Sequence, residues 1–577
     1  MKFFGLEFVI TENINKPNAF YEFVWNLEKQ RFLILGKLKN YNYTIFLSRL
    51  VWSFFKVSVT GVMATESRCN HCTKVLTMPY FKNQQQTRRN ALHFAKCLDV
   101  KNERNETNRF EQPLKIGLFD CGYKKHLELN EPLGIETLYS SMKNEFGNQI
   151  EIDMRFSLLE EMPDKINRYD MIMLSGNIED QGMMLKYITM AKESGTFIVV
   201  GGVYPTLSAE TLLKKHNDLV CVIGEGEIAV NQIILALLDG KDIFSEPEKI
   251  NNIAYMSPDG TVKYTQRKML DLSTVDYLPE RKYTKQICDA NGLVRMETSR
   301  GCDWNRCSFC MVKWKYGSEK RRVFPLKKVF QEIVNLSEQG VRRIYFTDED
   351  FVSGDETRLS NFIKGIKEMK SSGEIAEEME FFASTSVMYI LDKEEILPDL
   401  KSIGFVGLFL GVESGSKTQL IRYKKGVTPE KNLRAIEKLK SNGLLAEIGF
   451  IFFDPKMTAE ELKENIDFVT RNEIADTTSR LAKRIRIIPH TEYCENMNLD
   501  EMNIDENSLS IPYEFEDKEI GKIANEIEEE FENISDDTYK EQAMMRTGEF
   551  IKMENLNKQR MGEIEMIKQR ADILNEK

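Results

Sequence analysis

No run of the 577-residue chain is long and apolar enough to read as a membrane span. The nearest approach, residues 43–63, is broken by Arg49 and Lys56 and reads as a packed helix. Residues 1–10 are too short for a secretory signal and carry Glu7. No repeat of fixed period is present, which excludes solenoid and propeller arrays. A disulfide framework is missing as well: of ten cysteines, six fall into metal-type spacings, while Cys121, Cys221, Cys288 and Cys494 are scattered. The expectation is a cytoplasmic protein of a reducing compartment.

Charge is unevenly spread. Residues 1–110 hold 17 Lys and Arg against 8 Asp and Glu, although the whole chain stands at −11. A basic module appended to an acidic body is expected to have a partner of its own. With 42% hydrophobic residues, the length accommodates two sizeable cores and smaller appendages.

The most informative segment is Glu297-Thr-Ser-Arg-Gly-Cys302-Asp-Trp-Asn-Arg-Cys307-Ser-Phe-Cys310. Four residues separate the first two cysteines and two separate the second pair, with no fourth cysteine nearby. Three thiolates hold three corners of a cubane iron–sulfur cluster and leave one iron open. Around the trio, strand-like runs over 294–298, 343–347, 380–385, 406–411, 447–453 and 484–488 alternate with helical stretches over 326–339, 358–370 and 429–442. Six β-then-α units suggest a parallel barrel or partial barrel with its chemistry at the C-terminal strand ends. Asp348-Glu349-Asp350, Ser384-Thr385-Ser386, Glu413-Ser414 and Asp454 stand at those ends and are expected to converge on one mouth.

With the trio, Phe309 before its last cysteine and six such units, the chain resembles the radical S-adenosylmethionine superfamily. The resemblance implies a 4Fe–4S cluster on Cys302, Cys307 and Cys310, S-adenosylmethionine on the open iron and a 5′-deoxyadenosyl radical. By position it assigns Phe309, Thr347, Asp348, Glu349, Ser384, Glu413 and Gly449 to S-adenosylmethionine. The commonest spacing of that family has three residues in the first gap, where this chain has four.

Upstream, buried-strand runs over 116–120, 150–154, 171–175, 197–201 and 219–223, with helices such as 134–146 and 185–194, read as a doubly wound sheet. Glycines gather at its strand ends, where a backbone can approach a large ligand. Ser175-Gly176, Gly201-Gly202-Val-Tyr-Pro205-Thr206 and Gly224-Glu225-Gly226-Glu227 resemble the cobalamin-binding domain that precedes many radical S-adenosylmethionine barrels. The resemblance assigns Ser175, Gly176, Gly201, Gly202, Pro205, Thr206, Gly224, Glu225 and Gly226 to the corrinoid. The Asp-x-His-x-x-Gly motif that supplies a histidine to cobalt in other cobalamin proteins is absent: Asp120 is followed by Cys121-Gly122, and the nearest histidine is His126.

In the basic region, Cys69-x-x-Cys72 and His93-x-x-x-Cys97 have the donor set of a closed structural zinc site. With Trp52, Phe55 and the basic stretch 87–93, residues 50–97 resemble a BED-type zinc finger. That resemblance implies DNA association, with Arg88, Arg89 and Lys96 available to phosphates, and a nuclear location if the finger functions.

The expected architecture is therefore α/β. A basic region over 1–110 containing the finger precedes a Rossmann-like cobalamin-binding domain over 113–245 and a linker with a hairpin at Asp259-Gly260 over 246–290. A partial (β/α)6 TIM-like barrel over 291–492 and a helical region over 493–577 follow. The activity the resemblance implies is cobalamin-dependent radical chemistry, methyl transfer or rearrangement, on a small-molecule or unknown substrate, with a reductant such as flavodoxin or ferredoxin. Two alternatives stand beside it: a radical enzyme without corrinoid, and a DNA-binding finger protein with an inactive enzyme domain.

Overall fold

In the computed structural model, residues 112–122, 129–177, 181–317, 320–471, 483–499, 510–531 and 554–576 are described, with three short strand pairs upstream. The chain divides into two units, Met1–Arg109 and Phe110–Lys577. In the first, Lys2–Phe3 pairs with Leu6–Glu7, Trp25–Asn26 with Arg31–Phe32, and Thr44–Ile45 with Gly61–Val62, all antiparallel. The last pair puts strand where the apolar run at 43–63 suggested helix. Cys69, Cys72, His93 and Cys97, and the finger they would build, lie outside the described residues.

In the second unit, apolar runs become buried parallel strands. These are β1 (Leu114–Asp120), β2 (Ile150–Phe156), β3 (Met171–Ser175), β4 (Phe197–Gly201) and β5 (Val220–Val222), in the order 2-1-3-4-5. Two antiparallel strands, β6 (Ile253–Met256) and β7 (Val262–Tyr264), extend the sheet beyond β5. Their turn carries Gly260 at φ +81°, and Ser257 N–H donates to the Thr261 carbonyl, as the Asp-Gly pair foretold.

Alternate residues of β1 serve opposite faces. Leu114, Ile116 and Leu118 pack with α1 (Leu133–Phe146) and α4 (Glu227–Leu238). Phe119 packs with α2 (Gln181–Ser194) and α3 (Val203–Lys215). Helices on both faces explain why the strands read as nearly continuous apolar runs.

A second parallel sheet follows: β8 (Arg295–Met296), β9 (Arg343–Phe346), β10 (Glu380–Ser386), β11 (Phe405–Glu413) and β12 (Leu445–Phe450), neighbours in that order. Its helices include α5 (Leu326–Glu338), α6 (Glu356–Ser372), α7 (Pro429–Ser441) and α8 (Ala459–Arg471). Asp355 caps α6 by accepting from Thr357 N–H, and Thr428 caps α7 with Pro429 at its first position.

Two strands are shorter than their apolar patterns suggest, for identifiable reasons. The run 484–488 makes one parallel bridge, Arg484 to Phe453. Beyond it, Ile487 N–H donates to Ser510 Oγ and its carbonyl accepts from Ile511, so the sheet does not continue there. The first strand ends at Met296 because Thr298 N–H turns to Asp348 Oδ2, and Ser299–Arg300 pair antiparallel with Arg322–Val323.

The acidic tail forms α9 (Lys518–Phe531) and α10 (Glu554–Glu576). Ile520, Ile523, Ile527, Ile564 and Ile567 bury into the core that serves the barrel helices. Among the described residues no helix is long and apolar enough to cross a membrane.

Candidate active site

The three cysteines lie on the loop that follows the Ser299–Arg300 strand, each partly exposed and none in a disulfide. The loop is stapled to the segment after β11. Ser308 N–H donates to the Tyr423 carbonyl, Ser308 Oγ to the Arg422 carbonyl and Trp304 Nε1 to the Lys424 carbonyl. Phe309 meets Tyr423 edge to face at 5.3 Å and so helps pack the loop down. Gly301, at φ +91°, starts the turn, and Cys310 N–H closes on the Cys307 carbonyl.

Burial pushes all three thiols up, Cys302 to about 11 and Cys310 to about 12. Without metal they would stay protonated; iron takes the place of the proton and the electrostatic logic inverts. No three His, Cys, Asp or Glu side chains among the described residues close around a single ion. A cubane instead spreads its thiolates over separate corners, and the donor set of this loop fits such a group.

The strand-end acids do not act alike. Asp348, 2% exposed, accepts from Thr298 N–H at 2.8 Å, from Thr298 Oγ1 at 2.6 Å and from Ser299 Oγ. It anchors the strand that leads into the cysteine loop and faces inward. Thr347 donates its N–H to the Met296 carbonyl, also within the barrel wall. Asp454 and Ser414 belong to a buried network with Gln419, Tyr423, Arg422 and Asn465, and they brace α8 instead of reaching the mouth. The expectation of one convergent mouth fails for these two.

Other acids do gather around the trio. Glu349 pairs with Lys315 at 3.1 Å, and Glu413 with Lys425 at 3.1 Å. Burial opposes the charge of Lys425, but Glu413 and Cys307 outweigh it and hold the ammonium above its ordinary range. Glu413 follows a bulge after Gly411 and adopts φ +66°, a strained conformation for a residue with a side chain. Gly449 lies beneath it, with space for a Cβ already taken by Phe409 at 2.7 Å. Ser384 sits within 3.2 Å of the Tyr345 hydroxyl. Asp350, 1% exposed, is pushed up by burial although Thr385 and Ser386 donate to it. Lys315 and Lys425 carry no motif in the sequence; only the fold brings them here.

The strand order 2-1-3-4-5 places the crevice of the first sheet between β1 and β3. Two glycine loops border this end of the sheet. Gly176 N–H donates to the Gly201 carbonyl, and Tyr204 N–H to the Gly176 carbonyl. Gly202, at φ +97°, would place a Cβ 2.5 Å from the Gly176 carbonyl oxygen. Ser175, Gly176, Gly201 and Gly202 thus present backbone to the strand ends, which fits a large flat cofactor. Tyr204, Pro205 and Thr206 begin α3 and are buried.

The third loop behaves differently. Gly224 N–H donates to Thr206 Oγ1, while the space beside Gly224 is filled by Arg267 and the Lys315 carbonyl. Gly226 packs on Leu138. Glu225 accepts from Arg300 and Arg322 and from Leu270 N–H at 3.0 Å. Its carboxylate therefore faces the barrel, not the crevice.

One side chain joins the two regions. Trp314, the fourth residue after Cys310, donates its Nε1–H to the Thr206 carbonyl at 3.1 Å and stacks on His490 at 4.0 Å.

The sequence pattern of the radical SAM superfamily matches residues 296–469. A 4′-phospho-dehydrooxetanocin synthase of Priestia megaterium is 28% identical over 376 residues, 59% of this chain and 48% of that protein. The chain thus spans about half the length of that relative. The structure of the cobalamin-dependent S-adenosylmethionine radical enzyme OxsB, with aqua-cobalamin and S-adenosylmethionine bound, superposes with a TM-score of 0.63 at 21% identity. That match covers 76% of this chain and 71% of OxsB. The radical S-adenosylmethionine methyltransferase TsrM of Kitasatospora setae gives 0.54 at 16% identity, over 66% and 74%. At these identities the structural likeness is one of fold. Taken with the cysteine loop at its barrel mouth, residues 296–469 of this chain are a radical SAM domain.

Proposed function

We propose that the protein is a cobalamin-dependent radical S-adenosylmethionine enzyme, cytoplasmic, that transfers a methyl group to, or rearranges, a small organic substrate. The observation that supports it best is Trp314, which ties the cysteine loop to a glycine loop of the first sheet. Two cofactors held at these places would face each other across a shared wall.

When bound, the cluster supplies an electron, S-adenosylmethionine the adenosyl and methyl groups, and cobalamin a carrier for methyl. Cys302, Cys307 and Cys310 would hold the cluster, and Glu349, Ser384, Glu413 and Gly449 lie where S-adenosylmethionine would be gripped. Lys425 sets a positive charge beside Cys307 and Cys310. Phe309 packs on Tyr423 and Tyr423 on Tyr493, which fixes one side of the loop. Ser175, Gly176, Gly201 and Gly202 would receive the corrinoid by backbone. A flavodoxin or ferredoxin would deliver the electron.

Anaerobic reconstitution with iron, sulfide and hydroxocobalamin tests this, read by iron content, corrinoid absorbance and release of 5′-deoxyadenosine. The expected result is about four irons per chain, with deoxyadenosine release abolished in Cys307→Ala and corrinoid retained. Gly202→Ala, strained and clashing with Gly176, should keep its iron and lose corrinoid. Wild-type protein that takes up no cluster sinks the proposal; cluster without corrinoid removes its cobalamin half.

A further inference from the structure

The ribbon before the first cysteine poses an electrostatic problem. Arg300 and Arg322 are register partners, so two guanidinium groups stand directly opposite one another. Like charges in that arrangement push strands apart. The carboxylates that reconcile them come mostly from the first sheet. Glu225 Oε1 lies 2.6 Å from Arg322 Nη2 and 3.3 Å from Arg300 Nη1, bridging both. Glu227 reaches Arg300 Nη2 at 2.8 Å, and Glu297 approaches the same atom at 3.0 Å. Glu225, Glu227 and Arg300 are each at most 6% exposed, so solvent screens the Glu225–Arg300 and Glu227–Arg300 pairs little. Arg322 also donates to the Leu270 carbonyl, which ties in the linker.

We infer that Glu225 and Glu227 are positioning residues for the iron–sulfur loop: they hold Arg300, and through Arg300 the Gly301–Cys302 turn, in place from across the domain boundary. The inference rests on the proposed function for what the loop carries, but the strap itself does not. Because Gly224 N–H is bonded to Thr206 Oγ1, one short loop touches both the glycine crevice and the cysteine ribbon. Corrinoid and cluster halves are thereby mechanically joined.

Glu225→Gln and Glu227→Gln keep side-chain shape and remove one charge each. The expected result is amide hydrogen exchange about tenfold faster over residues 297–303 and 322–324, with β1 unchanged. Reconstituted variants should keep the iron content of the wild type. The electron paramagnetic resonance of their reduced cluster, with and without S-adenosylmethionine, should be altered. Glu227→Asp, which keeps the charge, should restore part of the wild-type spectrum. Should Glu225→Gln fail to fold, Glu227→Gln, whose partner is Arg300, carries the test. Wild-type exchange in these segments overturns the inference, and so does a spectrum superimposable on the wild type. A wild-type protein without cluster would defeat the proposed function instead, and hydrogen exchange would still decide the strap.

Discussion

Two buried ionic nodes join the first sheet to the second, and one carboxyl in each, Glu136 and Glu225, is shifted in the opposite direction to the other. At the first, Arg281 meets Glu131 at 2.7 Å, Glu332 and, more distantly, Glu136 at 3.9 Å. Burial, reinforced by Glu131, pushes the Glu136 carboxyl up to about 9. At the second, burial again opposes ionisation of Glu225, but Arg300 and Arg322 overcome it and hold the carboxyl below its usual range. The difference is how close the cations come. Arg281 lies 2.7 Å from Glu131 but 3.9 Å from Glu136, whereas Glu225 lies 2.6 Å from Arg322 and 3.3 Å from Arg300, which it shares with Glu227 and Glu297, and accepts from Leu270 N–H besides. A buried acid is charged or neutral according to its neighbours, and depth alone does not decide it.

The sharpest break of this comparison is Arg281→Met. It strands Glu131 and Glu332 in the interior without their main cation, and removing one side of a buried pair costs about 3–5 kcal/mol. Denaturant unfolding should show that loss. Next comes the pH profile. Glu136 binds its proton more tightly folded than unfolded, so its contribution is complete below about pH 4.5 and drains away as pH rises toward 9. Stability should fall by roughly 1 kcal/mol per pH unit across that window. Glu136→Gln, a mimic of the protonated acid, should flatten the slope. Glu225 behaves in the reverse sense: its contribution is present above about pH 4.5 and is lost as pH falls below it. Acid should therefore loosen the 297–303 segment. The smallest effect is expected for Arg322→Lys, which keeps the charge but not the two-pronged grip on Glu225, at about 1 kcal/mol in the same unfolding assay.

Much of the fold could be read from local pattern. The runs at 116–120, 171–175 and 197–201 are strands, the Asp259-Gly260 pair turns a hairpin, and the trio sits on one loop. Periodicity reports which face is apolar, so buried parallel strands are legible. It is silent on what a charged residue meets far along the chain. Glu225 and Arg300 are 75 positions apart, and nothing near either announces the other. The glycines around Glu225 suggested a corrinoid contact, and nothing in them announced that the Glu225 carboxylate meets Arg300 and Arg322. Asp348 is similar: its place at a strand end did not announce its partners Thr298 and Ser299. The run at 484–488 is apolar enough for a sixth strand, and competition from Ser510 and Ile511 for its backbone is invisible locally.

Trp314 has a further consequence, for observation rather than catalysis. Indole emission responds to stacking and to the hydrogen bond made by its N–H. This ring stacks on His490, donates to Thr206 and lies edge-on to Tyr264 at 6.1 Å. Its light therefore gauges whether barrel and doubly wound sheet remain in register. The molecule carries its own optical probe at the seam where its two halves must meet.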